Sequence, residues 1–141
     1  MYQKILVALD HSPANVRLLA HVTEVARLNG SELLLLHVAD GWVARNFEQL
    51  NLADSEEMRE DWRLLEEDAS RLRAESGLVI ETRLALGSPS EQILKVAKDE
   101  AVDLIALASH GHRLLGDLLH GSTIDAVRHG ARVPLLVIPP A

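Results

Sequence analysis

Short aliphatic runs alternate with longer amphipathic segments along this chain, and that alternation limits the possible folds more than any other feature. Five runs predict β-strands: Lys4–Leu9, Glu32–Val38, Val79–Leu86, Asp103–Ala108 and Val133–Ile138. Four of them are almost continuously apolar, which is typical of parallel strands covered on both faces. The third run alternates, with Glu81 and Arg83 on one face. We therefore expect the third strand to lie nearer an edge of the sheet.

Helix signals occupy the segments between these runs. The predicted helix starts are Ser12, Asp54, Ser88 and Ser122. Each of these side chains can accept a hydrogen bond from a first-turn N–H group, and Pro13 and Pro89 suit the first helical position. Apolar residues repeat every three or four positions in the second helix, which predicts one buried stripe. The stripe consists of Met58, Trp62, Leu65, Ala69 and Leu72.

The resulting element order is βαβαβαβαβ. Strands that alternate with helices are joined by right-handed crossovers, so we predict an α/β fold. Its architecture is a single doubly wound, Rossmann-like, five-stranded parallel sheet flanked by four helices. One domain spans residues 1–141, a length sufficient for one core. Ligands of such sheets bind at the carboxyl ends of the strands, where the strand order reverses.

Composition excludes several classes of partner. The formal net charge is −7 and no block of lysine or arginine occurs, which argues against nucleic acid or an anionic membrane as the partner. The chain has no cysteine, so disulfides and thiolate chemistry are excluded. No apolar run approaches the roughly 20 residues of a membrane span, and the N-terminal run is too short for a signal peptide. We expect a soluble, cytoplasmic protein.

The most informative stretch is ALASHGHRLLGDLLHGSTIDAV, residues 106–127. Gly116–Thr123 has the outline of a P-loop, but serine stands where the phosphate-binding lysine should be and Asp117 adds a negative charge, so we reject a P-loop. A wider spacing fits an anion cradle better. Gly111 closely follows the fourth strand and Gly121 precedes Ser122 at the fourth helix start, where N–H groups and the helix dipole favour an anion. The alternative is a turn at Gly111 and a simple helix cap at Ser122.

The chain resembles the universal stress protein family over its whole length. The resemblance rests on KILVALDHS, LLHV, ASHG…HGST and VPLLVIPP. Members that bind ATP carry a glycine, two residues, a glycine, nine residues, and then glycine followed by serine or threonine. Here Gly111 is the second glycine and Gly121-Ser122 is the final pair, whereas Ala108 replaces the first glycine.

This resemblance, with the cradle spacing, implies a set of cofactor-binding residues: Ala8, Leu9, Asp10, Val38, Leu107, Ala108, Gly111, His112, Arg113, Gly121, Ser122 and Thr123. Asp10 would contact the nucleoside and Val38 the adenine. The alternatives are a solvated turn residue for Asp10 and a core residue for Val38. Ala108 would cost more than about 1 kcal/mol if the site needs a positive φ, and little if its backbone stays extended.

The resemblance predicts a dimeric stress-response regulatory module that binds an adenine nucleotide, whether ATP, ADP or AMP, with Mg²⁺ on its phosphates and an unidentified protein partner. Two alternatives are a scaffold with an empty pocket and a slow ATP hydrolase, with Asp10 or His110 orienting water and Arg113 offsetting charge. Homodimers would pair through the apolar edge strand Val133–Ile138, which needs covering.

The remaining candidates are histidines and one loop. His110, His112 and His120 lie close in sequence, but metal sites usually also recruit cysteine or carboxylate ligands, so we predict no metal site. His37 is interpreted as a histidine at the edge of the core. Residues 39–53 form either a lid over the nucleotide or a segment packed on the second helix or a partner subunit.

Overall fold

The structure, a computed structural model, describes residues 1–10, 12–39, 52–109 and 121–139. Strands and helices alternate throughout these ranges, as the sequence predicts. In chain order the elements are β1 (Lys4–Leu9), α1 (Ala14–Asn29), β2 (Glu32–Ala39), α2 (Leu52–Ser76), β3 (Ile80–Leu86), α3 (Pro89–Asp99), β4 (Leu104–Ala108), α4 (Gly121–Gly130) and β5 (Leu135–Ile138).

All five strands form one parallel sheet in the order β3-β2-β1-β4-β5. β1 is central, and its Val7 is aligned with Leu35 of β2 on one side and with Ala106 of β4 on the other. The chain first builds outward from β1 to β3, and then crosses back to place β4 and β5 on the opposite side. The predicted doubly wound fold is therefore confirmed, and the strand order reverses between β1 and β4.

Helices cover both faces of the sheet, which explains the continuous aliphatic runs. α1 and α2 pack on one face through Leu18, Val22, Leu65, Ala69 and Leu72, all buried. On the other face, α3 and α4 contribute the buried residues Ile93, Val96, Ala97 and Val127. Aliphatic side chains build both cores because the chain is only 3% aromatic. Within the described ranges, no helix combines the length and the apolar character needed to cross a membrane.

β3 is an edge strand, as its alternating pattern indicates. Glu81 and Arg83 lie there within a charged group at the margin of the sheet. Lys4 Nζ lies 3.0 Å from Glu100 Oε2 and 3.7 Å from Glu81 Oε2, and Arg83 also pairs with Glu100. The hydrogen bond with Lys4, with a second from Arg83, holds the pKa of the Glu100 carboxyl below its usual value. The same bond raises the pKa of Lys4.

Three details of the helices differ from the sequence-based expectation. α1 begins at Ala14, because Ser12 Oγ accepts a hydrogen bond from the Ala14 N–H at 3.1 Å in a turn that precedes the helix. α2 begins at Leu52 rather than after Asp54, since leucine and alanine are good helix formers and extend it beyond the polar cap signal. Trp62 is 43% exposed, so the predicted apolar stripe is buried only from Leu65 onward.

Candidate functional site

The carboxyl ends of β1 and β4 lie side by side at the reversal of strand order, where α/β sheets bind ligands. Asp10 follows β1 directly, and Ser109 follows β4. α4 begins at Gly121 and leads back to β5, beside β4. The fold therefore places Asp10, Ala108 and Ser109 at one end of two adjacent strands. They lie far apart in sequence, and only the strand order makes them neighbours.

Asp10 is buried, with 5% of its surface exposed, so it is not a solvated turn residue. Its Oδ1 accepts a hydrogen bond from the Ser12 N–H at 2.8 Å. The Asp10 N–H donates to Asn15 Oδ1 at 3.3 Å, and the Asn15 amide donates back to the Asp10 carbonyl. These bonds hold the carboxylate in one position at the end of β1, and a preset position lowers the entropic cost of binding a ligand group there.

His37, which the sequence predicts at the edge of the core, also contacts the end of β1. It is buried in β2, with its Nδ1 3.1 Å from the Leu9 carbonyl oxygen and its Nε2 3.6 Å from Asp61 Oδ2. Because a carbonyl only accepts, we assign the proton to Nδ1, which donates to Leu9. His37 thus ties the end of β1 to β2, and its Nε2 faces Asp61 of α2. In the sequence, the only sign of this role is a histidine within an otherwise aliphatic strand.

A small polar pocket adjoins Asp10 and His37. Its volume is about 20 Å³, and its lining includes Leu9, Asn15, Asp61 and Asp68. That volume is close to the space of one water molecule and far below that of a nucleobase. The pocket is therefore too small to hold a nucleotide.

The apolar residues predicted to line the site divide between the two faces of the sheet. Ala8, Val38 and Leu107 belong to the core beneath α3 and α4, whereas Leu9 and Ala108 belong to the core beneath α1 and α2. All five are at most 4% exposed. Their side chains support the end of the sheet from within.

Ala108 has an extended backbone. It is the last residue of β4 and is aligned with Ile138 of β5, and the Ser109 N–H continues that pairing to the Ile138 carbonyl oxygen at 2.9 Å. Among the described non-glycine residues, only Ala101 has a positive φ. The alternative in which alanine is strained at this position is therefore excluded, and the Ala108 methyl group packs in the α1/α2 core.

The start of α4 supplies the other predicted anion-binding group. Gly121 is its first residue, Ser122 is exposed, and Thr123 is buried. Ser122 is therefore the second residue of the helix rather than the residue before it. The first N–H groups of a helix have no partner within the helix and carry partial positive charge. This geometry suits a phosphate.

Several predicted residues lie outside the described ranges, namely Gly111, His112 and Arg113 of the cofactor set, His110 and His120 of the histidine cluster, and most of the 39–53 loop. Where the structure describes the chain, no group of three or more histidine, aspartate or glutamate side chains is arranged to hold a metal ion.

This chain is similar to known proteins over nearly its whole length. The universal stress protein A homolog 2 of Coxiella burnetii is 34% identical over 142 residues, which cover 97% of this chain and 94% of that protein. The solved structure of MJ0577 from Methanocaldococcus jannaschii has a TM-score of 0.76 at 30% identity, covering 100% of this chain and 98% of that one. A universal stress protein from Archaeoglobus fulgidus, solved in complex with dAMP, has a TM-score of 0.71 at 25% identity, covering 97% and 98%.

The model of the universal stress protein family matches residues 1–139. The match includes every strand and helix of the sheet described above, and the fold is shared with the solved structures of that family. This chain belongs to the universal stress protein family.

Proposed function

We propose that this chain binds an adenine nucleotide across the carboxyl ends of β1 and β4 and acts as a dimeric regulatory module in a stress response. The observation that carries the proposal is the juxtaposition of Asp10 and Ala108 at the reversal of strand order, with α4 beginning nearby at Gly121. Open α/β sheets bind their ligands at this place.

The sugar and the phosphates of a nucleotide each have a partner of suitable chemistry there. The Asp10 carboxylate can accept hydrogen bonds from sugar hydroxyl groups, and its own bonds to the following turn hold it in place. The first turn of α4, with the Ser122 hydroxyl, suits the phosphates. Mg²⁺ would enter on the phosphates, since this ion keeps most of its waters and needs few protein ligands. The dAMP complex of the Archaeoglobus fulgidus relative supports an adenine nucleotide as the class of ligand.

The conformation of Ala108 favours binding over the alternative of an empty scaffold. A glycine is required where φ is positive, but Ala108 is extended and paired with β5. Its methyl group packs under α1 and α2, so the additional carbon contributes to the core. The one departure from the family's ATP motif therefore adds no backbone strain to the site.

Dimerisation through β5 is the second part of the proposal. β5 is an edge strand with Leu135 and Leu136 half-buried and Val137 40% exposed. An apolar edge with unpaired backbone groups is normally covered. A second copy that pairs antiparallel with β5 would extend the sheet and bury Val137.

The test is thermal unfolding and calorimetry with ATP, ADP and AMP, each with and without Mg²⁺. At 100 times the dissociation constant, binding adds about 2.7 kcal/mol of stability, which is readily measured as a rise in Tm. Asp10→Asn keeps a hydrogen-bonding side chain and removes the charge, so we expect weaker binding. Ser122→Ala removes the hydroxyl proposed to face the phosphates, so we expect weaker nucleotide binding. Ser70→Ala, on the exposed side of α2, is its matched control. If no nucleotide raises Tm or binds by calorimetry, the scaffold alternative holds.

A further inference from the structure

An apolar groove lies at the end of the sheet opposite the candidate nucleotide site. It opens between the carboxyl ends of α3 and α4, beside the start of β4, and its volume is about 450 Å³. Its apolar lining includes Leu94, Ala97, Val102, Ile105, Ala131 and Val133. Ile105 is near the amino end of β4, whereas Ala108 ends that strand at the nucleotide site, so the two sites are separate.

Small residues keep the groove open. Gly130 ends α4 against α3, and a Cβ at this position would lie 2.6 Å from Leu94 Cδ1. Ala101 terminates α3 in a left-handed conformation, with a φ of 52°. The two helices therefore approach closely at Gly130, and the groove lies beside their carboxyl ends, above the buried residues Val102 and Ile105.

The volume and the lining define the class of occupant. A volume of about 450 Å³ falls within the usual range for small-molecule sites, roughly 300 to 1,000 Å³. The lining is aliphatic and contains no aromatic ring on which a planar ligand could stack. Such a lining suits a flexible aliphatic chain better than a nucleobase or another flat heterocycle.

Three cations line the groove, and two of them are uncompensated. Lys95 pairs with Asp99 at 2.8 Å. Lys98 and Arg132 are exposed and form no ion pair with any residue in the part of the chain that the structure describes. The carboxyl ends of α3 and α4 bring about half a negative charge each, which is smaller than the two full positive charges. The groove is therefore locally cationic in a chain whose net charge is −7.

We propose that this groove binds a free aliphatic monocarboxylate, a fatty acid of roughly ten carbons, a size that suits the groove volume. The hydrocarbon chain lies against the partly exposed side chains of Leu94, Ala131 and Val133, and the carboxylate lies at the rim between Lys98 and Arg132. The proposal does not depend on nucleotide binding, because the groove shares no lining residue with the candidate nucleotide site.

The experiment titrates the full chain with decanoate below its micelle concentration and follows calorimetric heats and amide chemical shifts. Decanol and decylamine share the hydrocarbon chain but carry no charge or a positive charge. We expect saturable binding, with affinity that decreases from decanoate to decanol to decylamine. The largest changes in amide chemical shift should occur at Val102 and Ala131. Saturating ATP leaves the decanoate affinity unchanged, which separates this site from the nucleotide site.

Paired variants test the two halves of the ligand. Lys98→Gln with Arg132→Gln weakens decanoate binding about fivefold, the effect of two exposed ion pairs, and leaves decanol binding unchanged. Arg71→Gln changes the charge on the opposite face of the sheet and has no effect. Ala131→Leu fills the groove and weakens decanoate and decanol alike, and its circular dichroism and melting curve report whether it is folded.

Three outcomes overturn the proposal. The first is that decanoate does not bind. The second is that the double variant binds decanoate as tightly as Arg71→Gln does. The third is that amide chemical shifts change only in the presence of vesicles or micelles. If sedimentation shows a dimer that Ala131→Leu dissociates, and decanoate does not bind, the groove is instead a contact between two copies of this chain.

Discussion

Three helices of this protein are followed by a residue in the left-handed conformation, and only the one after α3, Ala101, is not a glycine. α1 ends with Gly30 at a φ of 66°, and the Ser31 N–H donates to the Ala26 carbonyl at 2.9 Å. α3 ends with Ala101 at a φ of 52°, and the Val102 N–H donates to the Ala97 carbonyl at 3.1 Å. Both are Schellman motifs, whose left-handed position normally carries glycine. Ala101→Gly should therefore stabilise the protein, and Gly30→Ala should destabilise it.

The size of the effect follows from two opposing contributions. A left-handed conformation costs a residue with a Cβ about 1–2 kcal/mol. Alanine recovers about 0.4–1 kcal/mol by restricting the unfolded chain. The remainder is about 0.5–1 kcal/mol in favour of glycine. Packing contributes little, because a Cβ at Gly30 would meet no atom within 4 Å and Ala101 is exposed.

Urea unfolding at equilibrium measures this difference, with an unchanged m-value showing that only stability has changed. Ala20→Gly is the matched control, since Ala20 is exposed within α1 and the same substitution there should cost about 0.5–1 kcal/mol. The double variant Gly30→Ala with Ala101→Gly should return near the wild-type value, because distant sites are additive. If Ala101→Gly destabilises the protein as Ala20→Gly does, the assignment of a strained left-handed cap is refuted.

Three further predictions concern single side chains. Glu100→Gln should lower the free energy of unfolding at neutral pH, and the difference should shrink in acid. The pKa of Glu100 is lowered in the folded protein, so its contribution is present above the unfolded pKa, about 4.3, and is lost as pH falls through the folded pKa. Comparing urea midpoints at pH 7 and pH 3 tests this, and a constant difference would contradict it. His37→Phe keeps a ring but leaves the Leu9 carbonyl without its donor, so unfolding should become easier by about 1–3 kcal/mol; an unchanged urea midpoint would show that the bond is not stabilising. Ala108→Gly should leave nucleotide affinity unchanged by calorimetry, and a marked gain would mean that the methyl group obstructs the site.

The elements and the fold class can be predicted from the sequence alone, because burial on two faces imposes a local pattern of apolar residues. β1 begins and ends at the predicted residues, Lys4 and Leu9, and the alternation at Glu81 and Arg83 correctly indicated an edge strand. The family motif also singled out Gly121 and Ser122, which the structure places at the start of α4. Helix starts were less accurate, since they depend on hydrogen bonds such as that between Ser12 and Ala14.

Which of these residues meet depends on the order of the strands and on the packing of the helices. Hydrophobic periodicity shows that a strand is buried but does not say which strand lies beside it, so the neighbourhood of Asp10 and Ala108 came from the strand order. The burial of Asp10, the proximity of His37 to Asp61 and the extended backbone of Ala108 likewise depend on contacts between distant segments. The cationic groove also depends on the tertiary structure. Lys98 and Arg132 lie far apart in sequence, and they line one groove because α3 and α4 end beside each other.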